Sequence, residues 1–163
     1  MYTVSIVIPV YNRQETIEFC LDSLKLQSLS QDNFEVIVVD DCSTDKTLAV
    51  LKKYKKIKNF RVVSLEENSG TPAAPRNKGI ELATGKYIMF VDSDDIVTPF
   101  SLEYMSDMAE RSDADFIMLF PFPSGRKKFT ERYINYYNDV EPVDINADRE
   151  MNNRLFRNVT VFN

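Results

Sequence analysis

With 163 residues and 44% apolar side chains, the chain has material for one domain with a real core. Its net charge of −5 argues against a protein whose main partner is a nucleic acid backbone. It contains no histidine, which removes a histidine base, a serine–histidine couple and a histidine-bound zinc; carboxylates, Lys, Tyr or water must carry any proton transfer.

Residues 3–10 (TVSIVIPV) are almost all apolar and predict a buried strand, followed by a loop at Tyr11, Asn12 and Arg13. From Gln14 the spacing turns helical, with Ile17, Leu21 and Leu24 on one face, and the helix should run to about Gln27. A polar loop leads to a second strand at 34–39 (FEVIVV), which ends in Asp40 and Asp41. Ser43, Thr44 or Asp45 can cap the next helix, whose core stripe is Leu48, Leu51 and Tyr54. Residues 60–65 (FRVVSL) predict a third strand and 66–72 a turn-rich loop. Residues 73–83 read as a helix with Pro75 in its first turn, closed by Thr84 and Gly85. A fourth strand at 87–91 (YIMFV) runs directly into Asp92-Ser93-Asp94-Asp95. Thr98 is placed to cap a further helix, with Pro99 at its first position and Leu102, Met105, Met108 and Ala109 on its buried face. A fifth strand is predicted at 115–120 (DFIMLF), and helical tendencies recur at 129–137 and 148–156.

Strand and helix alternate from the start, and the strands are continuous apolar runs. This pattern predicts an α/β fold: a mostly parallel sheet with helices on both faces. The regular core is expected over 1–120, with a looser region over 121–163. Two cysteines, no secretion signal and no apolar run long enough to cross a bilayer predict a cytoplasmic setting without a transmembrane segment. Basic runs at 52–56 and 126–128 read as solvated faces.

The acidic quartet is the centre of the chemistry. Three acids at the end of a buried strand repel one another and are costly to desolvate. In an extended segment Asp92 and Asp94 face the same way, and their hard oxygens suit Mg²⁺ or Mn²⁺. A divalent ion that also carries a diphosphate is the functional reading; a solvated acidic turn is the plain one. An EF-hand fails, because Ile96 and Val97 stand where it needs a polar ligand and a glycine. In an open parallel sheet ligands bind beyond the carboxyl ends of the strands. Pro9 to Asn12, Asp40-Asp41, Asn68-Ser69-Gly70 and the quartet all fall there. Asp40 and Asp41 can form a helix-entry turn, or offer a carboxylate to a nucleobase on which Tyr11 packs. Arg76 has a planar fork suited to a diphosphate, or it can bridge to one of the acids.

Four segments together resemble the family 2 glycosyltransferases of the GT-A fold, a Rossmann-like nucleotide-sugar-binding architecture. They are VSIVIPVYN (4–12), VVDDCSTDKT (38–47), NSGTPAAPRNKGI (68–80) and ATGKYIMFVDSDD (83–95). Pro75-Arg76-Asn77 looks closest to the enzymes that place N-acetylglucosamine on wall teichoic acid. The resemblance implies a donor site in which Pro9 and Tyr11 border the nucleobase and Asp41 hydrogen-bonds it. Asn68, Arg76, Asp92 and Ser93 complete the nucleotide-sugar contacts. Asp94, the second acid of a DxD signature, is the implied principal ligand of Mn²⁺ or Mg²⁺, with Asp92 the second candidate. The implied reaction is inverting transfer of a sugar from a nucleotide diphosphate, most often UDP-linked. The acceptor would be a polysaccharide, teichoic acid or lipid-linked glycan, reached from the cytoplasm or the inner membrane face.

One departure stands out. The family draws its catalytic base from a Glu-Asp pair downstream of the DxD signature, and no such dipeptide follows Asp95. Glu141, Asp144, Asp148 and Glu150 are candidates only as acids. The base is therefore unidentified, and it is expected beyond Asn163, the last residue of the sequence. The chain is expected to be an N-terminal portion of a longer enzyme that binds donor but transfers poorly. Two alternatives compete: a non-catalytic nucleotide-sugar-binding module and a sugar nucleotidyltransferase. Against the latter, 9–13 contains no glycine for a phosphate cradle. A flavodoxin-like signalling domain gives Arg76 and the quartet no role.

Overall fold

The structure, a computed structural model, describes residues 2–112. The elements predicted at 115–120, 129–137 and 148–156, and the region 121–163, lie outside the described residues. So do the acids Glu141, Asp144, Asp148 and Glu150, and the position beyond Asn163 expected for the catalytic base. Strand β1 (Val4–Val10) is followed by α1 (Ile17–Lys25), β2 (Phe34–Asp40), α2 (Thr47–Leu51), a 3₁₀ turn (Tyr54–Lys56) and β3 (Phe60–Ser64). Then come α3 (Ala73–Leu82), β4 (Tyr87–Phe90) and α4 (Ser101–Ser112). The four strands pair in parallel, in the order β3-β2-β1-β4.

Alternation along the central strands assigns the helices to two faces. Ile6 and Ile8 of β1 and Val36 and Val38 of β2 point into one core with Leu21 and Leu24 of α1, Leu51, Tyr54, and Leu102 and Met105 of α4. The intervening residues of β1 face α3. There Gly79 lies so close to the strand that a Cβ would sit 2.2 Å from the Val7 side chain. Glycine is what lets helix and strand approach this closely.

Three helices differ from the sequence reading. Helix α1 begins at Ile17, because the Arg13 carbonyl takes the Thr16 and Ile17 amides and makes 14–16 a turn. Helix α2 is short, and its stripe is continued by the 3₁₀ turn, which buries Tyr54. Helix α4 begins at Ser101 rather than after Thr98. The Pro99 carbonyl accepts the Ser28 amide at 2.7 Å, which holds 98–100 as a turn ahead of the helix.

At the amino edge of the sheet, buried Glu35 ties the start of β4 to β1 and β2. Its Oε1 accepts the Ser5 hydroxyl (2.7 Å), the Thr84 amide (2.7 Å) and the Thr84 hydroxyl (2.8 Å). The Gly85 amide donates to Ser5 Oγ at 2.8 Å, and a Cβ on Gly85 would meet the Ser5 backbone nitrogen at 2.6 Å. Buried polar groups cost stability when their partners are removed. Glu35→Ala should therefore lower unfolding free energy by about 2–3 kcal/mol, measured by urea denaturation.

Candidate functional site

The chain crosses from β3 back over β2 and β1 to reach β4, so the strand order reverses between β1 and β4. Such a switch point leaves a crevice beyond the carboxyl ends of the strands. Here it is a cavity of about 460 Å³, within the size range of small-molecule sites. Pro9, Tyr11, Asp41, Asn68, Arg76, Asp92, Ser93 and Asp94 all line it, joined by Arg13, Thr71, Pro72 and Pro75. The fold thus gathers every nominated donor-site and metal-site residue into one place.

The two acids after β2 have separate jobs. Asp40 is fully buried, and its Oδ2 accepts the Ser43 amide at 3.1 Å, a helix-entry turn. Asp41 lines the cavity, and its carboxylate is oriented from the β3–α3 loop. The Ser69 amide donates to Oδ1 and the Ser69 hydroxyl to Oδ2, both at 2.9 Å. A carboxylate has about four acceptor positions, so two remain for a ligand N–H. Asn68 acts on the same loop: its Nδ2 donates to the Asp41 carbonyl (2.9 Å) and its Oδ1 accepts the Gly70 amide (2.8 Å). Its amide orients the wall of the cavity through these bonds.

The loop after β1 is latched to the loop after β2. Asn12 adopts a left-handed backbone with φ 51°, which asparagine tolerates better than most residues. Its Oδ1 accepts the Thr44 and Asp45 amides at 2.8 and 3.3 Å, while its own amide donates to Ser43 Oγ at 2.9 Å. The Arg13 amide donates to Thr47 Oγ1 at 2.7 Å. These bonds fix the backbone that presents Tyr11 and Arg13 to the cavity.

The quartet after β4 is held from below by α1. Cys20 Sγ donates to the Asp92 carbonyl at 3.6 Å, Ser23 Oγ accepts the Val97 amide at 3.0 Å, and Gln27, just past the helix, brackets the loop's far end. The Gln27 Nε2 donates to the Thr98 carbonyl at 2.8 Å, and its Oε1 accepts the Leu102 amide at 3.2 Å. Burial, followed by the charges of Asp95, Asp94 and Asp92, pushes the Cys20 thiol up to about 12, which makes it a structural group and not a nucleophile. Asp95 is likewise held above the usual carboxylate range, by burial first and then by Asp92 and Asp94.

Two arginines face these acids. Arg76 Nη2 donates to Asp92 Oδ1 at 2.8 Å, and its guanidinium lies 5.9 Å from the Phe90 ring centroid. The bridging role foreseen for Arg76 is therefore present, and the residue still lines the cavity. Arg13 Nε lies 3.9 Å from Asp94 Oδ2. The sequence reading gives Arg13 no role beyond a loop. The available signal is a fixed cation shortly after the end of β1, on an otherwise acidic rim.

The donor set suits a hard divalent cation in a particular way. Asp94 is a half-exposed carboxylate at the cavity rim, with Asp92 two residues before it. Among the described residues no three His, Cys, Asp or Glu side chains converge into a ready-made metal cage. One or two carboxylates with the rest of the shell supplied by phosphate oxygens is how Mg²⁺ is usually held beside a nucleotide.

Comparison with known proteins identifies the family. The family model described as glycosyl transferase family 2 matches residues 5–161. A poly(ribitol-phosphate) beta-glucosyltransferase of Bacillus spizizenii is 45% identical over 113 residues, covering 69% of this chain and 18% of that protein. A crystal structure of Staphylococcus aureus TarS in complex with UDP-GlcNAc superposes with a TM-score of 0.71 at 38% identity, covering 77% of this chain and 36% of the other. A mannosyltransferase from Pyrobaculum calidifontis, in complex with GDP-Man and Mn²⁺, superposes at 0.60 with 26% identity, covering 67% and 33%. The chain spans about a fifth of the length of the first relatives it matches, 18% and 21%.

The raised Asp95 carboxyl has a definite consequence for stability. An acid whose pKa rises on folding favours the fold while protonated, and that advantage is lost as pH rises from about 4 through its folded-state titration. Asp95→Asn removes this loss. Relative to the parent, the variant should gain stability between pH 4 and pH 7, as read by urea denaturation at both values without added metal.

Proposed function

Because the chain belongs to glycosyl transferase family 2, we propose that the cavity between β1 and β4 binds a UDP-linked sugar for inverting transfer to a glycan, a teichoic acid or a lipid-linked acceptor. One observation carries the reading: residues from four separate stretches of sequence, nominated for base, diphosphate and metal, line a single crevice at the switch point.

Asp41 accepts an N–H from the edge of the nucleobase, its orientation fixed by Ser69. Tyr11, on the latched loop and partly exposed, packs on the ring. Arg76 stands beside the diphosphate, its guanidinium held by Asp92 and placed near Phe90. Asp94 and Asp92 are the residues that would hold Mn²⁺ or Mg²⁺, which supplies neutralisation of the charge on the departing nucleoside diphosphate. The carboxyls around it are already crowded, so a cation also relieves their repulsion.

The relatives named for poly(ribitol-phosphate) support an anionic cell-wall polymer as acceptor. Among the described residues no helix is long and apolar enough to cross a membrane. The working site proposed is the cytoplasm or its membrane face, where nucleotide sugars meet lipid-linked acceptors. No Glu-Asp pair occurs between Asp95 and Asn163. We therefore place donor binding in this chain, with the catalytic base supplied from beyond Asn163, and expect little transfer from these residues alone.

Calorimetric titration tests the donor site. UDP should bind, more tightly with Mn²⁺ than with chelator, and Asp94→Asn should weaken the Mn²⁺-dependent part by roughly tenfold or more. Binding that is indifferent to both metal and Asp94 would sink the assignment. In a separate assay, radiolabelled UDP-sugar with a poly(ribitol-phosphate) acceptor should give product near background; robust turnover would show that the base lies within these 163 residues.

A further inference from the structure

Arg13 has two very different attachments. Its backbone is pinned, with the amide donating to Thr47 Oγ1 at 2.7 Å beside the Asn12 latch. Its side chain is loosely held. The guanidinium reaches the Tyr11 and Asn12 carbonyls only at 3.5 and 3.4 Å, and Asp94 Oδ2 only at 3.9 Å. The Arg13 and Asp94 side chains are 45% and 54% exposed, a setting in which an ion pair contributes little and is easily exchanged. Arg76 contrasts with it: a 2.8 Å bond to Asp92, a neighbouring aromatic ring and a less exposed side chain. The rim thus carries one fixed arginine and one arginine on a fixed pivot with a free arm.

Charge decides what the free arm does. Asp41, Asp92, Asp94 and Asp95 bring four negative charges to the site, and Arg13 and Arg76 bring two positive ones. A dication at Asp94 and the Arg13 guanidinium want the same oxygens and repel each other. A diphosphate arriving with that dication offers the arginine a better acceptor, since the planar fork matches phosphate oxygens and the side chain already lines the cavity.

We propose that Arg13 is a charge-exchange residue: it competes with a divalent cation for Asp94 and, once displaced, contacts the donor diphosphate. This rests on the donor-site reading above and adds to it a residue and a coupling. Binding of cation and diphosphate becomes cooperative, because each gives the other a partner that Arg13 had occupied or lacked.

The test uses opposite signs. Free Mn²⁺ is counted by electron paramagnetic resonance during titration of the full chain, and UDP affinity is measured by calorimetry at saturating Mn²⁺. Arg13→Gln should bind Mn²⁺ alone roughly three- to tenfold more tightly and UDP roughly three- to tenfold more weakly. Arg13→Lys keeps the charge without the fork, so it should leave Mn²⁺ affinity near the parent value and still weaken UDP. A purely structural Arg13 would weaken both ligands together. That outcome, or unchanged Mn²⁺ affinity in Arg13→Gln, overturns the proposal. If the parent binds Mn²⁺ and UDP normally and only the variants fail to diverge, the donor site stands and the exchange role falls. If the parent binds neither, the donor-site reading falls first and takes the exchange with it.

Discussion

Carboxylates crowded at the rim of one sheet repel one another, and this structure keeps them together with backbone restraints. The loop that carries Asp92, Asp94 and Asp95 is gripped along its length by Cys20 and Ser23 of α1 and by Gln27 just after it. Asp41 is held by Ser69 from the other side of the cavity. The anchors on the loop after β4 use uncharged groups, whereas Ser69 binds the Asp41 carboxylate itself. The loop after β4 is thus held through backbone groups and not through its carboxylates.

The same division runs through the whole site. Backbone anchors fix positions, and the charged side chains are held to different degrees, firmly for Asp41 and for Arg76 on Asp92, loosely for Arg13 near Asp94. The latch between Asn12 and residues 43–45 fixes a left-handed turn at the end of β1, and from that turn Tyr11 and Arg13 project. Below, Gly79 brings α3 into near contact with Val7, which places Arg76 over the carboxyl end of β4. At the opposite edge of the sheet, Glu35 and Ser5 fix where β4 begins. The register of β4 against β1, Val4 with Tyr87 through Val7 with Phe90, then determines where its acids emerge.

Family membership and geometry speak to different parts of the molecule's chemistry. The match to glycosyl transferase family 2 spans 5–161, and the resemblance drawn from four sequence segments agrees with it. The likeness to the UDP-GlcNAc complex of TarS covers 77% of the chain, and the cavity explains why the four segments belong together. Each of them brings polar residues to the rim of one crevice.

Much of this is legible in the sequence, because it depends on local pattern. Continuous apolar runs separated by helical spacing specify the parallel sheet, and polar clusters at strand ends mark its functional edge. Asp41, Asp92 and Asp94 are nominated by their positions in those clusters, and Arg76, on the helix after the Asn68 loop, by its planar fork. Helix starts depart from the local pattern where a distant partner decides them; the amide of Ser28 on the Pro99 carbonyl has no trace in residues 98–101. Which of Asp40 and Asp41 turns inward, whether Asn68 orients the wall or faces the ligand, which acid Arg76 pairs with, and that Arg13 meets Asp94 are all matters of tertiary structure. Those are contacts between residues 16 to 81 positions apart. Composition and spacing determine what each segment can become, but only the packing of α1 and α3 on opposite faces of the sheet determines which charges end up within reach of one another, because electrostatic pairing depends on distance in space and not along the chain.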